Sequence, residues 1–283
     1  MSTQKSGFGL IKHTYLSAFR SLLENPRIFL PFLLFALAEF VALMLIFNFP
    51  RVPLIKIFGP PIRTFWGETF LHYPSNFLLL PKLAGLSRMF LAVLFGSFTT
   101  GAAIAIIIKS KHPFKQALKK YASLFLIVFI FSGFYYFLQK AIFIGLAKYF
   151  IAGHSRLLFL KSGLWLGPIL FCINFLLAII IQAAFACAIP ALIIDNKKFF
   201  PAILHSFVFF KRYLFATLVL VGAPLLLYLP IAVFNYNATV LMVKLFPEVI
   251  LLIAILGIVI SSLIIDLLVT LTVTSLYQSE KEK

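Results

Sequence analysis

The chain has 283 residues, 62% of them hydrophobic and 12% charged, and its 25 Lys and Arg against 8 Asp and Glu leave a formal charge of +17. A soluble domain carries about 25% charged residues, so a water-solvated globule is excluded; apolar runs of about 20 residues without strict alternation select spanning helices over barrel strands. The basic residues flank these runs and form no domain of their own, which excludes a nucleic-acid binder and makes anionic lipid headgroups the expected partner.

Residues 1–27 open with an amphipathic helix, in which Phe8, Ile11, Tyr15, Phe19 and Leu22 recur at helical spacing while Lys12, Arg20 and Glu24 lie on other faces. The first spanning segment follows at about 28–49. It exceeds a signal core in length and lacks a small-residue cleavage site before Arg51, so it is expected to remain as an anchor. Over 50–82, Pro50, Pro53, Pro60, Pro61, Pro74 and Pro81 mix with Trp66, His72 and Tyr73. That composition predicts an outer loop packed on the interface or dipping between helices, where aromatic rings favour the headgroup level.

Further spans are predicted at about 83–108, 122–139, 164–194, 213–234 and 249–276. The fourth is roughly 45 Å long as a straight helix, so it must tilt, project or kink near Pro168 or Pro190. Two more amphipathic helices precede the third and fifth spans. Phe114, Leu118, Tyr121 and Phe125 oppose Lys115, Lys119 and Lys120; Phe200, Ile203, Leu204 and Phe207 lie away from His205, Lys211 and Arg212. Pro113 and Pro201 suit their first turns.

The expected fold is an all-α polytopic transmembrane bundle, a single membrane domain over 1–283 with about six spans and three cytoplasmic interfacial helices. Fifteen of the 25 Lys and Arg fall on the side of the termini, which places both ends in the cytoplasm. Interfacial helix, outward span, loop and return span recur three times. Ser21–Arg27 aligns with Ser206–Arg212, and Phe114 with Phe200.

Glu39 and Asp266 are the acids placed well inside predicted spans, about 16 Å and about 15 Å from their inner ends at ~1.5 Å per residue. An ionised carboxylate at such depth costs several kcal/mol unless it is protonated, paired or wetted. If their helices pack together, the two acids share a proton or bind a cation; otherwise each is a neutral, hydrogen-bonded packing residue. Asn174 and Gln182 on the fourth span join them as candidate polar residues. Asn235, Asn237, Ser261, Ser262, Thr270, Thr272 and Thr274 are expected to bond between helices. Gly96, Ser97, Thr100 and Gly101 set small residues at i and i+4 for close helix packing. Lys115, Lys119, Lys120, Lys197, Lys198, Lys211 and Arg212 are candidate contacts for anionic lipid.

Chemistry has little footing in the sequence. His13, His72, His112, His154 and His205 are scattered without metal-ligand spacing, and there is no phosphate loop, dinucleotide fingerprint or GxSxG elbow. No catalytic residue, metal or cofactor is expected. Cys172 and Cys187, about 22 Å apart along a helix, are expected to pack rather than pair.

The stretch AIPALIIDNKKFFPAILHSFVFFKRYLFATLVL, from Ala188 to Leu220, resembles a pattern in an uncharacterised prokaryotic family of six-helix membrane proteins. That family includes the membrane domain fused to some glycerophosphodiester phosphodiesterases. Its elements are a span ending near Pro, a charged turn, an amphipathic helix carrying Ser and a basic pair before a new span. Here they are Pro190, Asp195, Ser206, and Lys211 with Arg212. FRSLLENPRIFLPFLL, from Phe19 to Leu34, resembles the family's opening segment. The resemblance implies a six-helix membrane domain and, without a phosphodiesterase domain in these residues, carries over no hydrolysis.

The expected location is the plasma membrane of a prokaryote. The expected role is a transporter-like or permease-like component for a small or lipidic solute, with Glu39 and Asp266 in the polar pathway. The alternatives are a noncatalytic scaffold assembling with another membrane protein or with itself, and, third, an intramembrane enzyme. A cavity reaching Glu39 and Asp266 favours transport; a tight core with an exposed small-residue face favours the scaffold.

Overall fold

The computed structural model describes residues 7–152 and 156–281; residues 1–6 of the expected opening helix, His154 and Lys283 lie outside the described residues. The described chain is helical throughout, with no strand. Its helices are α1 (Gly7–Glu24), α2 (Phe29–Phe47), α3 (Leu54–Phe65), α4 (Leu80–Leu91), α5 (Ser97–Ile107), α6 (Pro113–Lys119), α7 (Tyr121–Ala152) and α8 (Arg156–Phe185). They continue as α9 (Ala188–Ile194), α10 (Phe199–Arg212), α11 (Leu214–Leu226), α12 (Leu229–Tyr236), α13 (Ala238–Lys244), α14 (Val249–Ile258) and α15 (Asp266–Lys281). π-helical segments over Ala92–Gly96 and Val259–Ile265 join α4 to α5 and α14 to α15.

Among the described residues, five rods are long and apolar enough to cross a membrane: Pro26–Phe47, Ser75–Ile107, Tyr121–Gly145, Gly167–Ile194 and Val249–Lys281. A sixth arises if α10 and α11, bent by 99° at Tyr213, count as one broken span. The bend falls where the sequence passes from an amphipathic helix to a fully apolar one. The element order also repeats, with α1, α6 and α10 each leading into an apolar rod that is followed by a second one. Large apolar side chains stay exposed around the bundle, among them Leu30, Leu37 and Val41 on α2 and Phe129, Phe134 and Phe137 on α7.

The boundaries differ from the sequence in instructive places. The second rod begins at Ser75 rather than 83, because the proline loop is itself helical. Within 50–82, α3 and 3-10 turns over Glu68–Leu71 and Ser75–Leu79 bury Phe49, Ile62, Leu71 and Leu79 together with Trp66. Pro53 and Pro74 cap the starts of α3 and the second 3-10 turn and Pro81 occupies the first turn of α4, where no N–H is needed, while Pro60 and Pro61 lie inside α3.

The fourth rod continues through Pro168 and breaks at Ala186 and Cys187. Pro190 lacks the N–H that would bond to the Ala186 carbonyl, so the helix is interrupted one turn before it. Ser206 on α10 fills the gap: its hydroxyl donates to the Ala184 carbonyl at 2.7 Å and accepts from the Cys187 N–H at 3.2 Å. The fifth segment is split by a turn at Leu227 and Tyr228, between Pro224 and Pro230.

The three amphipathic helices form where expected, and packing decides which face of each turns inward. On α1 the buried line is Ile11, Thr14 and Ala18, docked against α15 and α11, while Phe8, Phe19 and Leu23 face out. On α6 Ala117 turns inward and Phe114 and Leu118 outward; on α10 Ala202, Ser206 and Phe209 turn inward and Phe200, Leu204 and Val208 outward. Small residues joined by Ile11 and Phe209 contact the bundle, and the other large apolar side chains project from its basic end.

Candidate functional site

Glu39 lies on the second half of α2, Arg88 on the last turn of α4, and Asp266 begins α15, directly after a π-helical segment that holds Ser262. Such π segments widen one turn and re-aim the following side chains, and they recur at functional sites. α2 packs against α4, α5 and the second π segment, which brings these residues together from three rods.

Arg88 Nε lies 3.1 Å from Glu39 Oε1, and an Arg88 terminal nitrogen lies 3.7 Å from Asp266 Oδ2. The Ser262 hydroxyl donates a short hydrogen bond to Glu39 Oε2. The guanidinium also sits 5.9 Å from the centre of the Tyr228 ring, within cation–π range. Two carboxylates on one guanidinium leave the triad one negative charge in excess when all three are ionised. The side chain of Glu39 is 3% exposed, whereas that of Asp266 is 31% exposed from mid-bundle, so it faces a cavity.

Two cavities flank the triad. One, of about 190 Å³, is lined by Asp266, Gln182, Thr100 and Thr274 among apolar residues that include Phe35 and Phe131. The other, of about 80 Å³, is lined by Glu39, Arg88, Ser87, Tyr228 and Asn235. Their order is the same on three rods. On α2, Phe32 and Phe35 line the larger cavity before Glu39, and Leu43 the smaller one after it. On the second rod Pro81 to Arg88 serve the smaller and Ala92 to Ile104 the larger; on the last rod Ala254 to Ile258 serve the smaller and Asp266 to Thr274 the larger. The cavities are therefore stacked along the bundle, the larger toward its basic end, with the triad between them.

The structure thus brings Glu39 and Asp266 to one site, with a correction to how they meet. They do not share a proton directly; Arg88 stands between them in the position assigned to a cation. Arg88 was not among the candidate polar residues, although its place inside the predicted span 83–108, immediately before the apolar run from Met89 to Phe95, was a usable signal. Of the other polar candidates, Gln182 lines the larger cavity and Asn174 lines neither. Ser261 bonds within its own helix to the Gly257 carbonyl at 2.6 Å, as Thr272 does to the Leu268 carbonyl at 2.8 Å, so neither bridges helices.

The small residues of the second rod pack inside the chain. A Cβ on Gly96 would meet the Phe35 ring at 3.4 Å, and one on Gly101 would lie 2.7 Å from Leu124 Cδ1. Ser97 is buried and bonds to the Val93 carbonyl at 2.8 Å, while Thr100 faces the larger cavity.

Of the candidate lipid contacts, Lys115, Lys119, Lys198 and Lys211 are exposed and Lys120 is half-buried. Two are engaged inside the chain, Lys197 at 3.5 Å from Asp195 and Arg212 at 2.5 Å from Glu280. Asp195 belongs to a latch between the end of α15 and the turn before α10, while Arg212 ties the end of α15 to the end of α10. Tyr277 donates to Asp195 Oδ2 at 2.6 Å, and Lys281 also pairs with Asp195.

Burial would raise the Asp195 carboxyl, but hydrogen bonds from Lys281 and Tyr277 and the charges of Lys281 and Lys197 bring it below its ordinary value. The unfolded carboxyl therefore takes up a proton first as the pH falls, and the latch contributes stability above pH ~4 that is lost below it. Hydrogen exchange at the end of α15 is expected to speed up below pH ~4, and Asp195→Asn is expected to abolish that dependence. A profile unchanged in the variant would show that Asp195 does not hold the helix end.

No family model, curated protein or solved structure matches the chain.

Proposed function

We propose that the chain is an integral membrane protein of six spans that carries a small or lipidic solute, with the Arg88, Glu39 and Asp266 triad as the gate. The observation that carries this is the stacking of two polar-lined cavities on opposite sides of the triad. A solute passing from one to the other must loosen an ion pair that is held in place only by its neighbours, which is what a gate requires. The exposed Leu and Phe side chains support a hydrocarbon surround, since soluble monomers rarely expose continuous apolar patches above a few hundred Å². The bend between α10 and α11 supports an interfacial helix feeding a fifth span, with the basic end toward the cytoplasm.

The small-residue stripe favours this reading over a scaffold, because Gly96 and Gly101 are used against Phe35 and Leu124 of the same chain. The resemblance of Ala188–Leu220 adds support for six helices. Its Pro190 makes the break, Ser206 fills it, Asp195 anchors α15 and Arg212 pairs with Glu280.

The test is uptake by liposomes containing the purified chain, across a panel of small amines, organic acids and short-chain lipids. The wild type is expected to take up at least one class, and Glu39→Gln to slow it by about tenfold or more, equivalent to about 1.4 kcal/mol of barrier. Uptake no greater than that of empty liposomes across the panel would remove the carrier reading. For the lipid contact, replacing Lys115, Lys119 and Lys120 by Gln is expected to remove about 1 kcal/mol of attraction per lysine and to lower the anionic phospholipid retained in detergent. Equal retention would mean that these lysines face water alone.

A further inference from the structure

The larger cavity has a chemistry of its own. Its polar wall joins the Asp266 carboxylate to Thr99, Thr100, Gln182, Thr270 and Thr274, and its apolar wall includes four phenylalanines, Phe32, Phe35, Phe131 and Phe185. Asp266 is the less compensated acid of the triad. Arg88 approaches it at 3.7 Å against 3.1 Å for Glu39, and Ser262 bonds to Glu39 as well. The excess negative charge therefore resides where the cavity begins. Thr274 also lines the cavity, fully buried, and its hydroxyl oxygen has no hydrogen-bond partner. A carboxylate facing a mostly apolar cavity inside the bundle without full compensation is expensive, and either a proton or a cation removes the cost.

We propose that the larger cavity binds a small organic cation, a substituted ammonium on an apolar body, against Asp266, and that the cation takes the place of a proton there. The inference rests on the carrier reading of the same site and adds the solute class. Phenylalanine faces attract such cations, and a carboxylate set among aromatic rings discriminates them from neutral molecules of the same shape. At about 190 Å³ the space exceeds the ~150 Å³ cavity that accepts a benzene ring, so a one-ring body fits while the paired chains of a phospholipid do not. Arg88 stands at the end of the cavity and attracts an anion once Asp266 is protonated, which makes an organic acid the competing outcome. Proton and cation cannot both neutralise one carboxylate, so binding of the cation releases the proton to solvent.

The experiment titrates the detergent-purified full chain with benzyltrimethylammonium, with its neutral carbon isostere neopentylbenzene and with benzoate, subtracting protein-free micelles. The cation is expected to bind at least about tenfold more tightly than the isostere and to release up to about one proton per cation, the fraction rising as the pH is lowered. Asp266→Asn is expected to bring the cation down to the affinity of the isostere while leaving the isostere unchanged. Wild-type preference and proton release stand without the variant, should it fail to fold. Equal affinity for cation and isostere, tighter binding of benzoate, or binding without proton release would overturn the proposal. Uptake of acids alone in liposomes would overturn it and leave the carrier; cation binding without uptake of any solute would overturn the carrier and leave the site.

Discussion

Arg88→Gln is expected to destabilise the folded chain by about 3–5 kcal/mol, the usual cost of leaving a buried charge without its partner. Glu39 is nearly inaccessible, and its remaining support is one hydroxyl from Ser262. Without the guanidinium, Glu39 and Asp266 have no positive charge beside them, and both must take up protons or draw water inward. Adding Glu39→Gln and Asp266→Asn to Arg88→Gln removes every charge at once, and most of the lost stability is expected to return, since neutral amides and hydroxyls can bond to one another. The measurement is unfolding in mixed micelles for the single and triple variants, treated as a coupled set because the residues share partners. A single variant within about 0.5 kcal/mol of wild type, the range of surface substitutions, would show that Arg88 does not neutralise these acids.

Gly101→Leu is expected to cost about 1–2 kcal/mol. Its Cβ alone would stand 2.7 Å from Leu124 Cδ1, and Leu124 is fully buried, so the added side chain has no room to turn away. Overpacking of this kind costs ~1–3 kcal/mol, offset in part by the ~1 kcal/mol that glycine forfeits inside a helix. Leu124→Ala opens the space, so the double variant is expected to recover at least about half of the loss. The same unfolding measurement decides it, and a double variant less stable than Gly101→Leu would mean that α5 and α7 do not meet through this pair.

Much of the architecture could be read before any coordinates. The apolar rods, the three amphipathic lead-ins and the break near Pro190 follow from hydrophobic runs, a 3.6-residue period and a missing N–H, all properties of neighbouring residues. Glu39 and Asp266 also stood out, because an acid in an apolar run is conspicuous by itself. Arg88 did not. It lies near one end of the predicted span 83–108, where a basic residue reads as a flank, and only the packing of α4 against α2 shows that its charge is used inside. Which faces of α1, α6 and α10 turn inward was not legible for a related reason. Periodicity identifies an apolar stripe but not what packs on it, and Ala18, Ala117 and Ala202 turned inward with Ile11 and Phe209 while Phe8, Phe114 and Phe200 stayed exposed.

By itself, then, the sequence determined that the chain makes long apolar helices, roughly where each one begins and ends, and that two acids lie within them. The tertiary structure alone decided that residues as far apart as Glu39 and Ser262 share a hydrogen bond, that one arginine serves two acids, and that two cavities lie on either side. The physical reason is range. Helix formation and apolar burial are set by residues within a few turns, whereas the energy of a buried charge depends on what distant segments bring beside it.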